Sequence, residues 1–322
     1  MNPFLLKPAC KESIWGGTNL KKRFRKEYPG DVISESWELS VHPAGLSFAA
    51  TGPFQGSPLA DLIRDPAILG RFAANCPVFP LMIKWIDSQR PLSIQVHPDN
   101  AYAMAHENDM GKTEMWYIID CEPGAYLYYG FTHVISREEF ARRIQDNSLL
   151  DVVKKVPVQK GDVFFIPSGT LHAIGPGILL AEVQQSSNVT YRIYDYGRLD
   201  ADGKPRQLHV EKALEVTNLA PAVQTAPTPI PLSCEADTLL ACCPYFAVVR
   251  QSVRAPRQSS GDGNSFHALM CVAGNGQMEL ADEILSIPAG ATVFVPANSG
   301  QFTLSGDMTL LDVFVPDPAL FS

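Results

Sequence analysis

The sequence predicts a mainly β protein with a few accessory helices. Apolar residues occur mostly in runs of about four to eight separated by Gly, Pro, Asp and Asn, which is typical of short strands joined by turns. Helical periodicity is clear only over residues 58–72 and 136–153, and Ser136 with Glu139 forms a capping-box pattern at the start of the second. With 322 residues, 46% of them hydrophobic, the chain can bury a sizeable core.

Eight strands are predicted in the first part of the chain and five in the last part. A segment between them, residues 219–233, holds four prolines in fifteen residues, which favours an extended and weakly packed connector. We therefore predict a first domain at 1–222, a Pro-rich connector at 223–233 and a second domain at 234–322. The predicted strands are 32–41, 81–86, 92–96, 114–120, 125–129, 163–166, 178–184, 190–194, 246–251, 267–272, 277–280, 292–295 and 309–315.

An internal repeat relates the two halves. Residues 161–172 and 290–301 share a Gly at the first position and a Pro six residues later, whereas His172 of the first segment is replaced by Gln301 in the second. The first segment, G-x5-P-x-G-x2-H, resembles the second signature of the cupin superfamily, whose small jelly rolls hold a metal inside the barrel. The repeat and the resemblance imply two cupin-type jelly-roll barrels. We expect the second barrel to lack a metal site and His267 to be an ordinary histidine.

Charge and cysteine content exclude several classes of function. The chain has 26 basic and 34 acidic residues and no dense cluster of Lys and Arg, so we expect no nucleic-acid partner. Its seven cysteines form no C-x-x-C pair, which argues against a disulfide framework or a thiolate zinc site. A signal-peptide core and an apolar stretch of about 18 to 20 residues are both absent, so we predict a cytoplasmic protein with no membrane partner.

Four side chains on three strand-like segments are predicted to bind one divalent metal. Alternate side chains of a strand share a face, so Gln95 and His97 point the same way. Glu114 lies in an otherwise apolar strand, where a buried carboxylate needs a strong partner, and His172 occupies the cupin ligand position. Nitrogen and oxygen donors favour zinc, with manganese, cobalt or iron feasible. Two imidazoles, a carboxylate and an amide leave room for a substrate oxygen, which is typical of a catalytic site.

Three further residues are predicted to surround this metal. Ser93 shares the face of Gln95, and Lys112 shares that of Glu114 provided that the strand begins by residue 112. Lys84 stands in an apolar strand, where an ammonium is costly unless it faces a polar cavity. The alternative for this lysine is an edge position from which its side chain reaches solvent.

A polar stripe is predicted downstream of His172. If the chain is extended there, five polar residues share one face, and a barrel interior tolerates such a stripe only beside a polar ligand. Arg192 is the expected cation of this face, and the alternative is a structural ion pair with an acidic residue. The five residues are Gln184, Ser186, Asn188, Thr190 and Arg192.

Five motifs in order resemble the short bacterial form of type I mannose-6-phosphate isomerases, and the resemblance extends over the whole chain. It implies that Gln95, His97, Glu114 and His172 bind zinc, since their counterparts in that family do. It also implies that Arg192 belongs to the active site and that Lys84, Lys112 and Ser93 line the substrate pocket. The motifs lie at residues 14–17, 35–43, 95–99, 111–117 and 166–174.

The implied reaction interconverts mannose 6-phosphate and fructose 6-phosphate through a cis-enediol. A metal and Arg192 placed against O1 and O2 would stabilise the developing enediolate charge. Lys112 and a metal-bound hydroxide are both candidate bases, and Lys84 and Ser93 are predicted to hold the phosphate. The chain departs from the family at Asn188, where an Asp is frequent, and an amide cannot act as a base.

Two other functions compete with the isomerase. A non-catalytic sugar-phosphate-binding cupin would keep the phosphate contacts but lose a metal ligand or Arg192, and all of these residues are present. An iron-dependent cupin oxygenase more often uses a cluster of histidines than one Gln, two His and one Glu. The donor set therefore favours an isomerase whose partner is a small sugar phosphate.

Overall fold

The computed structural model describes residues 1–199 and 203–321, and within these ranges the protein is mainly β, as predicted. Twenty strands occur there. They are β1 (Phe4–Lys7), β2 (Ala9–Lys11), β3 (Glu35–Leu39), β4 (Phe48–Ala49), β5 (Leu81–Ser88), β6 (Ile94–Val96), β7 (Glu114–Cys121), β8 (Tyr126–Phe131), β9 (Val153–Pro157), β10 (Val163–Ile166), β11 (His172–Ile174), β12 (Ile178–Gln185), β13 (Tyr191–Tyr194), β14 (Thr238–Cys242), β15 (Ala247–Val253), β16 (Arg257–Ser259), β17 (His267–Glu279), β18 (Ile284–Pro288), β19 (Thr292–Val295) and β20 (Phe302–Phe314).

Each predicted strand overlaps an observed one, and the predicted strands 267–272 and 277–280 are parts of the single strand β17. The helices in the described part of the chain are short, and two single 3-10 turns lie at Leu149–Asp151 and Pro318–Phe321. None of these helices has the length and apolar character needed to cross a membrane. The α-helices are α1 (Asn19–Lys22), α2 (Leu59–Leu62), α3 (Pro66–Ala73), α4 (Asn100–Glu107), α5 (Arg137–Gln145) and α6 (Val210–Val216).

The two predicted helices are shorter than expected. The first, over 58–72, is split into α2 and α3, because Asp65 is extended and caps a new helix whose first residue is Pro66. The second begins as predicted, with the Ser136 hydroxyl accepting from the Glu139 N–H at 3.1 Å, but α5 ends at Gln145. Asn147 has a φ of 60°, a left-handed conformation that cannot continue a helix.

The strands of the described residues form three antiparallel sheets. The six-stranded sheet has the order β10-β7-β12-β5-β3-β2, and the five-stranded sheet has the order β13-β6-β11-β8-β9. The nine-stranded sheet runs β14-β15-β20-β17-β19-β1-β4, with β16 paired to β20 and β18 to β17. The closure of these sheets into two jelly-roll barrels stays a prediction.

Two strands of the first half, β1 and β4, belong to the nine-stranded sheet of the second half. Phe4 of β1 is the register partner of Phe294 in β19, and both rings lie in one apolar core with Trp85 of the six-stranded sheet and Phe266. The two halves therefore share a strand pairing and an apolar core. The division of the chain into two domains by a connector at 223–233 stays a prediction.

The six-stranded and five-stranded sheets pack against each other through a second core, which includes Trp116, Leu127, Ile174 and Leu180. Strand β12 is buried along its whole length, because one face packs on this core and the other on the core shared with the second half. Polar side chains on the inner faces of the two sheets are therefore removed from solvent. The predicted site residues lie there.

Candidate metal centre

The predicted metal ligands come from the two facing sheets. Gln95 of β6 and His172 of β11 are register partners in the five-stranded sheet, and His97 follows β6 directly. Glu114 begins β7 of the six-stranded sheet, where it pairs with Ile166 on one side and Gln184 on the other. The carboxylate thus faces the imidazoles and the amide across the space between the sheets.

The structure brings the four predicted ligands together. His97 Nε2 lies 3.6 Å from Glu114 Oε2, and His172 Nε2 lies 3.2 Å from Glu114 Oε1. Ligands that are each about 2.0–2.1 Å from a tetrahedral metal are about 3.3 Å apart, so these spacings suit one ion. Gln95 Nε2 is 3.3 Å from His172 Nε2, and a half-turn of the amide would place its oxygen at the same point.

The hydrogen bonds of the two imidazoles direct their lone pairs toward Glu114. His97 Nδ1 is 2.8 Å from the carbonyl oxygen of Val189, and His172 Nδ1 is 2.8 Å from that of Thr170. A carbonyl only accepts, so Nδ1 carries the proton in both rings and Nε2 carries a lone pair. Burial lowers the pKa of both histidines, that of His172 to about 4, which keeps the rings neutral at pH 7.

The donor set fits a divalent cation. The Lys112 ammonium reaches His97 Nε2 and Glu114 Oε2, whereas within residues 1–199 and 203–321 no hydrogen-bond donor reaches Glu114 Oε1, which lies 3.2 Å from His172 Nε2. Buried acceptors that face each other in this way are unfavourable unless a cation lies between them. His97, Glu114 and His172 are all buried, and one ligand atom of each lies within 4.8 Å of the others. The Nδ1 bonds to carbonyls are those expected of metal-binding histidines.

A network of buried charges adjoins the ligands. Lys112 Nζ is 2.6 Å from Glu114 Oε2 and 3.3 Å from His97 Nε2, so Lys112 reaches the site although β7 begins only at Glu114. Lys84 Nζ lies 3.2 Å from Glu182 Oε1 and 3.5 Å from Glu35 Oε2. Burial alone would raise the pKa of Glu182, but Lys112 and Lys84 outweigh it and hold that pKa below its usual range. The ammonium of Lys84 is thus already compensated by two carboxylates.

Glu182 and Trp116 were not predicted as site residues. Glu182 is the register partner of both Lys84 and Trp116, and the Trp116 indole donates to Glu182 Oε2 at 2.9 Å. The same indole ring packs edge-on against His172, with the ring centroids 5.3 Å apart. Glu182 stands in an apolar run, Leu-Leu-Ala-Glu-Val, so the buried-carboxylate argument applied to Glu114 could have found it.

A cationic cluster borders the site in the five-stranded sheet. Arg192 is the register partner of Gln95, and its Nε donates to Ser93 Oγ at 3.3 Å. Arg198 and Arg206 both form ion pairs with Asp195, so two guanidinium groups share one carboxylate. No ion pair of Arg192 itself occurs between residues in the described part of the chain, contrary to the structural alternative considered for it.

The predicted polar stripe is wrong as a continuous face. Strand β12 ends at Gln185 in one sheet, and β13 begins at Tyr191 in another. The Gln184 side chain donates to the carbonyl oxygens of Gln185 and Ser187 and so stabilises the turn between them. Asn188 lies in this turn and is exposed. Polar residues occupy every second position from 184 to 192, so the sequence pattern does not show that the chain leaves one sheet and enters another there.

Comparisons with known proteins identify relatives of this chain. Residues 4–120 match the family model of the phosphomannose isomerase type I catalytic domain, and residues 235–315 match that of the mannose-6-phosphate isomerase cupin domain. A mannose-6-phosphate isomerase of Streptococcus mutans is 34% identical over 310 residues, which cover 96% of this chain and 97% of the relative.

Two solved structures are also similar to this one. The mannose 6-phosphate isomerase of Bacillus subtilis superposes with a TM-score of 0.90 at 34% identity and covers 97% of this chain and 99% of its own. A mannose 6-phosphate isomerase bound with zinc and yttrium superposes with a TM-score of 0.79 at 18% identity, which covers 98% of this chain and all of that one. The second likeness concerns the fold alone.

Proposed function

The chain belongs to the type I mannose-6-phosphate isomerase family, and on that premise we propose a role for each of its site residues. It is a metal-dependent isomerase that interconverts mannose 6-phosphate and fructose 6-phosphate. The observation that carries the proposal is the convergence of His97, Glu114 and His172 on one point beside Lys112. A sugar-phosphate-binding protein without turnover would have no need of this arrangement. All four proposed metal ligands and Arg192 are present in the chain.

We assign Gln95, His97, Glu114 and His172 as the ligands of one zinc ion per chain. The neutral imidazoles, the buried carboxylate oxygen and the spacings near 3.3 Å support the assignment. Zinc is the metal that such nitrogen and oxygen donors favour, and a related isomerase has been solved with it. Bound zinc supplies a Lewis acid against the sugar oxygens.

Lys112 is the residue we propose to move the proton between C2 and C1. Its Nζ is almost fully buried and lies beside two of the ligands, 2.6 Å from Glu114 and 3.3 Å from His97. A neutral amine at this place can take the proton from C2 of the aldose, leaving a cis-enediolate, and deliver it to C1, while the O2 hydroxyl proton passes to O1 to complete the ketose. While Lys112 carries the proton, the carboxylates of Glu114 and Glu182 stabilise its ammonium form.

Arg192 and Ser93 extend the site away from the ligands. The Arg192 side chain shares a face with that of Gln95 because the two residues are register partners, so its guanidinium can stabilise charge on O1 and O2. The excess of arginine over carboxylate suits a phosphate dianion, which Arg198 and Arg206 would attract and Ser93 would meet as a hydroxyl donor. The role of Lys84 at the phosphate stays a prediction, because Glu182 and Glu35 already face its ammonium.

The finer architecture is also proposed. Two cupin-type jelly-roll barrels, at 1–222 and 234–322 with a connector at 223–233, are supported by the separate matches of two family models. The cytoplasmic location stays a prediction.

A coupled assay of mannose 6-phosphate conversion tests the proposed function. The protein is stripped with a chelator and then reconstituted with one equivalent of zinc, and we expect turnover to disappear and return. Absence of turnover in the reconstituted protein would overturn the proposal.

The role of Lys112 is tested by the Lys112→Ala variant. It should keep its metal and lose about 10²- to 10⁴-fold in kcat, the usual contribution of a general base. Lys154→Ala is the matched control, because Lys154 is an exposed lysine of β9. Normal turnover of Lys112→Ala would remove this residue from the proton path.

A further inference from the structure

We propose that Asn100 and Gln185 are positioning residues for Lys112, and that Tyr245 of the second half of the chain orients Asn100. The inference deepens the proposed function and rests on it, because the two amides would act through Lys112. The site would then depend on a contact between the two halves.

The backbone on both sides of Lys112 is held by side-chain oxygens. Lys112 lies between α4 and β7, outside both elements. The Gly111 N–H donates to Asn100 Oδ1 at 3.0 Å, and the Thr113 N–H donates to Gln185 Oε1 at 2.9 Å. The Lys112 N–H itself donates to the carbonyl oxygen of Pro98 at 3.0 Å. Three consecutive N–H groups are therefore fixed without a strand partner.

The two amides are joined to each other and to the second half. Gln185 Nε2 donates to Asn100 Oδ1 at 2.9 Å, and Asn100 Nδ2 donates to the Tyr245 hydroxyl at 3.3 Å. A backbone N–H can only donate, so Gly111 and Thr113 determine which way each amide is turned. The hydrogen bonds run without a break from Tyr245, in the turn between β14 and β15, to the residues that flank Lys112.

The segment has little room to move. A Cβ atom added at Gly111 would lie 2.4 Å from the carbonyl carbon of Asp99 and 2.5 Å from the nitrogen of Asn100, so the chain passes directly over the start of α4. Gln185 is 3% exposed, and its own N–H donates to the Thr113 carbonyl at 3.1 Å. Loss of either side-chain oxygen leaves an N–H unpaired beside Lys112, and the backbone must shift to satisfy it.

The metal ligands are supported in a different way. Glu114 is held by pairing of β7 with β10 and β12, and His97 and His172 are held by backbone carbonyls. Neither Asn100 nor Gln185 bonds a ligand side chain. A change in these amides should therefore disturb the lysine and leave the metal in place.

The first test compares Asn100→Ala, Gln185→Ala and Asn100→Asp in the zinc-loaded protein. We expect the two alanine variants to lose about 10- to 100-fold in kcat, with KM and zinc per chain nearly unchanged, since a small misplacement of a reacting group acts on the transition state. Asn100→Asp should restore most of kcat. Its carboxylate can accept from Gly111 and Gln185, and the Tyr245 hydroxyl can donate to it.

Gln251→Ala is the matched control for the loss of a buried amide, because among the described residues the Gln251 side chain bonds Asp312, in the nine-stranded sheet, and no residue near Lys112. It should keep its kcat. Thermal midpoints of all variants identify any general loss of folding. Either of two results would overturn the proposal. In the first, Gln251→Ala loses as much kcat as Asn100→Ala and Gln185→Ala do. In the second, Asn100→Asp is folded but does not restore kcat.

The second test combines Asn100→Ala with Lys112→Ala. If the amides act through the lysine, the double variant should be no slower than Lys112→Ala alone. If Asn100→Ala instead lowers the kcat of Lys112→Ala by the same factor as it lowers that of the wild type, the amide acts through some other residue and the proposal is overturned. Failure of the proposed function has a different signature, because the zinc-loaded wild type would then show no turnover. Failure of the Lys112 role would leave Lys112→Ala with normal turnover, whereas failure of this inference alone would leave Lys112→Ala slow and the amide variants fast.

Discussion

Replacing Lys84 with Met removes a buried ammonium and keeps an unbranched side chain of similar length. Lys84 is 5% exposed and lies in β5, opposite Glu182 of β12. Its Nζ is 3.2 Å from Glu182 Oε1 and 3.5 Å from Glu35 Oε2. In the variant, Glu182 keeps only Lys112 at 3.7 Å as an ion-pair partner within residues 1–199 and 203–321, besides the indole of Trp116.

The expected loss of stability follows from these distances. Two unit charges 3.2 Å apart attract each other by about 5 kcal/mol at an effective dielectric constant of about 20. Part of this attraction is offset because the variant no longer has to desolvate an ammonium. Removal of one member of a buried pair costs about 3–5 kcal/mol, since the other charge is left without its partner. We therefore expect the free energy of unfolding to fall by about 3–5 kcal/mol.

Equilibrium urea unfolding of the zinc-loaded protein measures this loss. The double variant Lys84→Met/Glu182→Gln should recover most of the stability, because both charges have then been removed. Lys154→Met in β9 is the matched control, since Lys154 is exposed and should change the free energy by less than about 0.5 kcal/mol. A loss below about 1 kcal/mol for Lys84→Met would refute charge compensation. If KM for mannose 6-phosphate then rose in this stable variant, the predicted phosphate role of Lys84 would be supported instead.

Three further predictions concern the metal, the phosphate and pH. His172→Ala should weaken zinc binding by about 100-fold or more, because even outer contacts of a metal ligand are worth about 10- to 100-fold; full zinc content after dialysis, measured by plasma mass spectrometry, would contradict the ligand assignment. Ser93→Ala should raise KM for mannose 6-phosphate about 10-fold, the equivalent of one hydrogen bond to a charged group, and unchanged steady-state KM would remove Ser93 from the phosphate. Burial alone would lower the pKa of His267, but Asp312 at 2.7 Å outweighs it and raises that pKa. The stabilisation is complete below about pH 6.5 and is lost as pH rises through the raised pKa, so the thermal midpoint should fall between pH 6 and 9 more in the wild type than in His267→Gln, and parallel curves would refute the pairing.

Local patterns were sufficient to predict most strands and to select the four side chains that the structure brings together, whose role as metal ligands stays a prediction. Strand β10 was predicted at its observed bounds, 163–166, because four apolar residues lie between turn-forming residues on both sides. Gln95 and His97 were found from their alternation, and Glu114 from the cost of a carboxylate in an apolar strand. Each of these signals lies within a few residues of the side chain concerned, so no knowledge of distant contacts was needed.

Local patterns failed where the chain changes direction. Residues 184–192 alternate as a single strand would, yet they cross from the six-stranded to the five-stranded sheet. Helix α4 was not predicted, because its residues, Asn-Ala-Tyr-Ala-Met-Ala-His-Glu, bury only Ala103 and show no strong apolar face. The predicted helix over 58–72 breaks at Asp65 and Pro66, whose capping role the apolar periodicity had obscured.

The sequence by itself determined which side chains are candidate metal ligands and where most of the strands lie, because donor chemistry and side-chain alternation are local properties. Only the tertiary structure decided what each charge faces. Glu182 joins Lys84 and Lys112 because β12 pairs with β5 and β7 in one register. Tyr245 reaches Asn100 across 145 residues. Such partners depend on sheet register and on packing between distant segments, and a local pattern does not specify either.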